Sequence, residues 1–192
     1  FALPILWDFA ESNPLADASG NYAGEIDWIS LVCSHVCDAG LHSPSSEVKA
    51  QSSTSLELAG LDVVVTDPPY YDAIPYSDLM DFFYIWLRRS LHSLSSKIDE
   101  VFQNPLSPKW NHETKDGELI DDSSRFAGDS AKSKQMYEDG MFRAFSACHR
   151  ALNPDGKLVV VFAHKHHDAW ETLVSAIIRS GYIVDGSWPI QT

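Results

Sequence analysis

Residues 67–70 read Asp-Pro-Pro-Tyr, and side chains of these types in this order can do chemistry on an amine. Two consecutive prolines fix φ at Pro68 and Pro69, push Asp67 toward an extended backbone and contribute no N–H donors. Their carbonyls are left free to accept. One carboxylate, Asp67, and one flat ring, Tyr70, stand beside them. Such a set can grip a planar group bearing an NH2: the carboxylate accepts one hydrogen, a proline carbonyl the other, and the ring stacks on the face. Drawing both hydrogens out of conjugation moves an aromatic amine toward tetrahedral geometry and exposes its lone pair for attack on an electrophilic methyl. The plainer alternative is an ordinary strand-ending turn in which Asp67 caps a backbone N–H.

The elements around this turn have to place it. Residues 61–66 contain the β-branched run Val63, Val64 and Val65, expected where helices cover both faces of a parallel strand. Asp67 then falls at the carboxyl end of that strand, where open α/β sheets bind their ligands. Ser77 reads as the N-cap of a helix over 78–94 whose apolar face is Leu79, Phe82, Phe83, Trp86 and Leu87. Residues 103–128 show no period and read as a long irregular excursion. A helix over 130–152 follows, with Met136, Tyr137, Phe142, Phe145 and Leu152 among its apolar positions. A strand over 157–163 comes next, and then a helix over 167–180 with Trp170, Leu173, Val174, Ile177 and Ile178 on one side. Gly181 ends that helix, and a third strand is expected over 182–188. The alternation predicts right-handed crossovers and a mostly parallel sheet. Its rim would gather Asp67–Tyr70, His164-Lys165 and Trp188-Pro189. Tyr71, Asp72, Tyr76 and Ser77 either shape the pocket wall or serve the structure alone. The cluster His164-Lys165-His166-His167 is either a solvated corner or a group serving a phosphate or carboxylate.

Upstream, residues 4–10 could be a short strand or an extended lead-in, and Asn13-Pro14 and Ser19-Gly20-Asn21 are turn chemistry. Ile26, Ile29, Val32, Cys33 and Val36 recur at helical spacing over 23–39. Residues 47–51 read as a short strand and 52–58 as a connection. Cys33, His35 and Cys37 invite a metal reading, but only the two cysteines share a helical face and no second Cys/His pair follows at zinc-site spacing. No metal site is expected.

The 192 residues suit one domain, which can bury roughly 70% of its unfolded surface. Fourteen Lys and Arg against 27 Asp and Glu leave a net charge of −13, which repels a polyanion over most of the surface. Three cysteines give no disulfide framework and suit a reducing cytosol. No apolar run approaches the length of a membrane span. With Phe1 at one end and Thr192 directly after an expected strand at the other, the chain reads as part of a larger protein.

Asp67-Pro68-Pro69-Tyr70 resembles the DPPY motif of S-adenosylmethionine-dependent amino-methyltransferases, which methylate adenine N6 or cytosine N4 in DNA. The longer string TDPPYYDAIPYSDLMDFFYIWLRR is similar to one branch of them, large prokaryotic proteins described as adenine-specific DNA methylases. Two more stretches look like that branch: WDFAESNPLADASGN, which holds Trp7, Asp8, Glu11 and Asn13, and GKLVVVFAHK followed by WETLVSAII and GYIVDGSWPIQT. The resemblance implies a Rossmann-like class I methyltransferase sheet with helices on both faces. It implies one partial catalytic domain over 1–192 with an irregular insertion near 101–130. It also implies methylation of an exocyclic amine, adenine N6 foremost, with S-adenosylmethionine as cofactor, DNA as partner of the full-length protein and a cytoplasmic setting. Asp67, Pro68, Pro69 and Tyr70 would be catalytic, Asp67 and Lys165 would meet the cofactor, and Tyr70, Tyr71, Tyr76 and His164 the substrate. The chain departs from that family in one respect. Family members cradle the cofactor on a turn with paired glycines, whereas the ten glycines here are scattered singly. The expectation is therefore a chain holding the target-base half of the site, a poor DNA binder alone and a weak binder of cofactor. An RNA base, a protein glutamine, or no substrate at all in an inactive interaction module are the alternatives.

Overall fold

The computed structural model describes residues 13, 15–17, 20–44, 47, 49, 51–72, 74–103 and 110–189. The readings of residues 4–10 and of Trp7, Asp8 and Glu11 lie outside them. The chain divides into two compact units, Phe1–Lys49 and Ala50–Thr192.

In the first unit, α1 spans Tyr22–Gly40, as the helical spacing predicts. Asn21 caps it, its side-chain oxygen accepting the Gly24 N–H at 2.6 Å. Ile26, Ile29, Val32 and Val36 are all exposed. Cys33 and Cys37 are exposed free thiols.

The second unit is mixed α/β. Strand β1 (Leu61–Thr66) leads through the 67–71 turn into α2 (Tyr76–Leu91) and the short α3 (Ser96–Val101). A two-residue ladder, β2 (Trp110–Asn111) with β3 (Asp116–Gly117), and a 3₁₀ turn at Ser123–Phe126 follow. Helix α4 (Ser130–Ala151) then runs straight into β4 (Leu152–Val160), and α5 (His167–Arg179) closes the described order. β1 and β4 are parallel, with Val63 opposite Lys157, Val65 opposite Val159 and an irregularity between Leu61 and Val63.

The core is α4 packed on the sheet and on α5. Tyr137, Met141 and Phe145 repeat every four residues along one α4 face, and each is at most 2% exposed. They meet Leu158, Val160 and Phe162 from β4 and the segment after it, and Leu173 from α5. The inner face of α5 is Ala169, Thr172, Leu173 and Ala176. It is rotated from the expected stripe, since Trp170, Val174 and Ile178 are exposed. Small side chains let α5 sit close on α4, and size rather than hydropathy sets the face here.

Four other expectations change. Ser77 is not an N-cap: α2 starts at Tyr76 after Pro75, which makes no side-chain cap. Glu118 does that work from 41 residues away, accepting the Ser77 N–H at 2.9 Å and the Ser77 hydroxyl at 2.6 Å. The carboxylate satisfies an otherwise orphaned first-turn donor and meets the positive end of the helix. Arg125 in turn holds Glu118 at 2.8 Å. Second, α2 stops at Leu91 because Ser93 is left-handed (φ 69) and its N–H bonds to Asp99 at 3.0 Å. Third, the described part of 103–128 is packed rather than loose: Leu119, Ile120 and Phe126 are buried. A two-residue ladder and a single 3₁₀ turn are too short to leave a period in the sequence.

Fourth, the sheet differs from expectation. Among the described residues no strand forms over 182–189 and none at 47, 49 or 51. Ile183, Val184 and Trp188 are exposed, and the Trp188 ring folds back over Gly186, where a Cβ would strike it. Among the described residues the helices cover one face only. On the other, Val63, Val65, Val159 and Val161 are between 44% and 68% exposed, so the valine run is not a doubly covered strand among the described residues. No described helix is long and apolar enough to cross a membrane.

Buried Gly140 on α4 faces Leu119, whose branched end occupies the space a Cβ would need. Gly140→Val should therefore lower the unfolding free energy by about 1–3 kcal/mol through overpacking, measured by urea denaturation. Unchanged stability would show that Leu119 has room to withdraw.

Candidate functional site

β1 ends at Thr66, so Asp67 emerges at its carboxyl end. The Asp67 side chain is exposed, Pro68 is buried, and Pro69 and Tyr70 are half-buried. Tyr71 then turns back into the core, 9% exposed, with a left-handed backbone at φ 49. A bulky residue holds that conformation only where its surroundings over-determine it.

Those surroundings are specific. The Tyr71 N–H donates to the Pro69 carbonyl at 3.0 Å, and the Tyr71 carbonyl accepts the Asp121 N–H at 3.0 Å. The Tyr137 hydroxyl donates to the same Pro69 carbonyl at 2.9 Å. Ser133, fully buried, donates to the Asp121 carboxylate at 2.5 Å. The Tyr71 ring stands edge-on to Tyr137 at 5.1 Å and to His164 at 5.9 Å. The expectation that both proline carbonyls are free is thereby corrected. Pro69 has two donors for its two lone pairs, while no donor among the described residues bonds to the Pro68 carbonyl.

The half-buried Tyr70 packs edge-on against Phe162 at 5.5 Å. Hydrogen bonding to the Asp67 carboxylate, reinforced by some desolvation and by that carboxylate's charge, holds the Tyr70 phenol above its ordinary pKa. Asp67 and Tyr70 therefore act as one unit, an exposed carboxylate with a protonated phenol beside it. Tyr76, at the first residue of α2, is exposed and near enough to add to the effect on Tyr70.

His164 is not a solvated corner. Its side chain is 7% exposed and its Nε2 lies 3.1 Å from Asp72. Its Nδ1 accepts the His166 N–H at 3.1 Å and its carbonyl accepts the Trp170 indole N–H at 3.1 Å. An Nδ1 that accepts leaves the ring hydrogen on Nε2, aimed at Asp72. His164 thus ties the end of β4 to the turn after β1. Lys165, His166 and His167 follow it exposed. Two of the three expected strand ends meet, and Trp188-Pro189 does not join them because its strand does not form.

Sequence reasoning missed Tyr137, Ser133 and Asp121. The signal was present: Ser133 and Tyr137 stand four apart, placing two hydroxyls on the face of α4 that is otherwise apolar. Among the described residues no group of three or more His, Cys, Asp or Glu is placed to hold a metal ion. A polar cleft of about 210 Å³ between α4 and α5, lined by Lys134, Glu138, Asp168, Glu171, Thr172 and Arg179, touches none of the site residues.

Burial pushes Tyr137 and Tyr182 up to about 12, with the Asp121 charge adding to Tyr137. Burial and then Asp121 push Tyr71 up as well. A folded-state pKa above the unfolded value of about 10 means these phenols stabilise the fold fully below pH ~10 and lose that contribution as pH rises through ~12. Denaturation across that window should show stability falling, with tyrosinate absorbance from these rings rising only as the chain unfolds. A flat profile would mean that the phenols are open to solvent.

Comparison with family models, with curated proteins and with solved structures finds no match for this chain.

Proposed function

We propose that this chain supplies the amine-gripping side of an S-adenosylmethionine-dependent amino-methyltransferase site, with N6 of adenine in DNA as its target, on a Rossmann-like sheet to which β1 and β4 belong. The observation that supports the reading is the division of the 67–71 turn. Among the described residues no backbone N–H bonds to the Asp67 carboxylate, whose hydrogen-bond partner is the Tyr70 phenol, or to the adjacent Pro68 carbonyl, whereas Pro69 and Tyr71 are fixed from behind. An exocyclic amine has two hydrogens for those two acceptors, and Tyr70 offers a ring beside them for the base to stack on. Bonding both hydrogens pyramidalises the nitrogen and presents its lone pair.

The position agrees with this, since a parallel strand ends there and the segment after β4 returns beside it. The paired-glycine turn that would cradle the cofactor is not in this sequence. This chain's share of the reaction is therefore confined to the amine. Its net charge of −13 opposes DNA, and phosphate contact on this rim would fall to the exposed Lys165, His166 and His167.

A titration of the chain with adenosine and with purine riboside, which lacks the amine, tests the reading directly. Adenosine should bind about tenfold more tightly because its amine meets one charged and one neutral acceptor. Asp67→Ala should remove that preference while leaving purine riboside affinity in place. Equal affinities for the two nucleosides in the unmodified chain would sink the proposal.

A further inference from the structure

We propose that Tyr137 and Ser133 of α4 are positioning residues for this site, holding the 67–71 turn so that the Pro68 carbonyl, and not that of Pro69, is presented to an incoming amine. This rests on the amine-gripping reading above. Both hydroxyls are committed to partners inside the protein, and their residues are 1% and 0% exposed. Their effect must pass through what they hold.

What they hold is the strained part of the turn. Tyr137 donates to the Pro69 carbonyl at 2.9 Å, and the Tyr71 N–H donates to the same oxygen at 3.0 Å. With both lone pairs used, that oxygen is turned into the protein. The prolines are stiff at φ, so fixing one carbonyl restricts the next. Ser133 acts one helical turn earlier. Its bond to Asp121 steadies the residue whose N–H holds the Tyr71 carbonyl. The two residues lie four apart on a single helix, so the helix grips the second half of the turn, at Pro69 directly and at Tyr71 through Asp121. Tyr71 at φ 49 is the residue that this grip keeps in place.

Without the Tyr137 hydroxyl, Pro69 keeps only the Tyr71 N–H. Its carbonyl can then rotate outward and compete with that of Pro68 for the amine. Tyr137→Phe keeps the ring and its packing against Tyr71, so the variant isolates the hydroxyl.

The experiment uses the full chain, isotope-labelled, with adenosine and purine riboside as probes. In Tyr137→Phe the chain should unfold as cooperatively as the parent, and the resonances of Asp67, Pro68 and Tyr71 should move. The preference for adenosine should fall about tenfold, with purine riboside affinity unchanged. A residue serving only the core would not move that ratio. Ser133→Ala should shift Tyr71 and Asp121 resonances and lower the ratio by less. Unmoved resonances with an unmoved ratio in Tyr137→Phe would overturn the proposal. So would loss of the fold, since the hydroxyl would then be holding the core. If the parent chain binds neither nucleoside, the functional reading fails on its own, and the resonances of Asp67 and Pro68 in Tyr137→Phe still decide whether the turn is positioned from α4.

Discussion

Burial of one side of α4 is the constraint on which residues 50–192 depend. Tyr137, Met141 and Phe145 are almost wholly removed from water, and burying side chains of this size is a large apolar gain. The other elements dock on that helix from different directions. α5 approaches through Ala169 and Ala176, the segment after β3 presses Leu119 against Gly140, and β4 leaves α4 with no intervening loop. β1 pairs in parallel with β4, which the chain continues directly from α4.

The same helix carries the polar groups that shape the candidate site. Tyr137 sits in the apolar stripe yet sends its hydroxyl to the Pro69 carbonyl, and Ser133 sends its own to Asp121. Buried polar groups of this kind are satisfied by partners fixed in place. The fixed groups and the exposed carboxylate thus lie on different sides of the turn. Below the turn are groups that have spent their hydrogen-bonding capacity on each other, and above it is Asp67, exposed with Tyr70 beside it. A His164–Asp72 contact at 3.1 Å ties the two strand ends together from the side.

Local chemistry was the legible part of the sequence. The valine run gave β1, the periodicity gave α4 and α5, Gly181 with its positive φ closed α5, and Asp67–Tyr70 came out at the strand end where expected. Long-range pairing was not legible. No local rule pairs Ser77 with Glu118, or Tyr137 with a carbonyl 68 residues away. The α5 face was misjudged because hydropathy ranks Trp170 and Ile178 above Ala169 and Ala176, while close helix contact prefers the small residues. The third strand was expected from composition alone, and a β-rich composition does not supply a hydrogen-bonding partner.

The valine surface of the sheet has a further consequence for how this chain behaves in solution. Val63, Val65, Val159 and Val161 lie together toward water, and contiguous apolar area of this sort draws molecules into contact. Opposing it is the acidic excess of the whole chain, which keeps copies apart by mutual repulsion. Salt shortens the reach of that repulsion and does nothing to hide the valines. Raising the ionic strength therefore tips the balance between these two opposing terms toward contact.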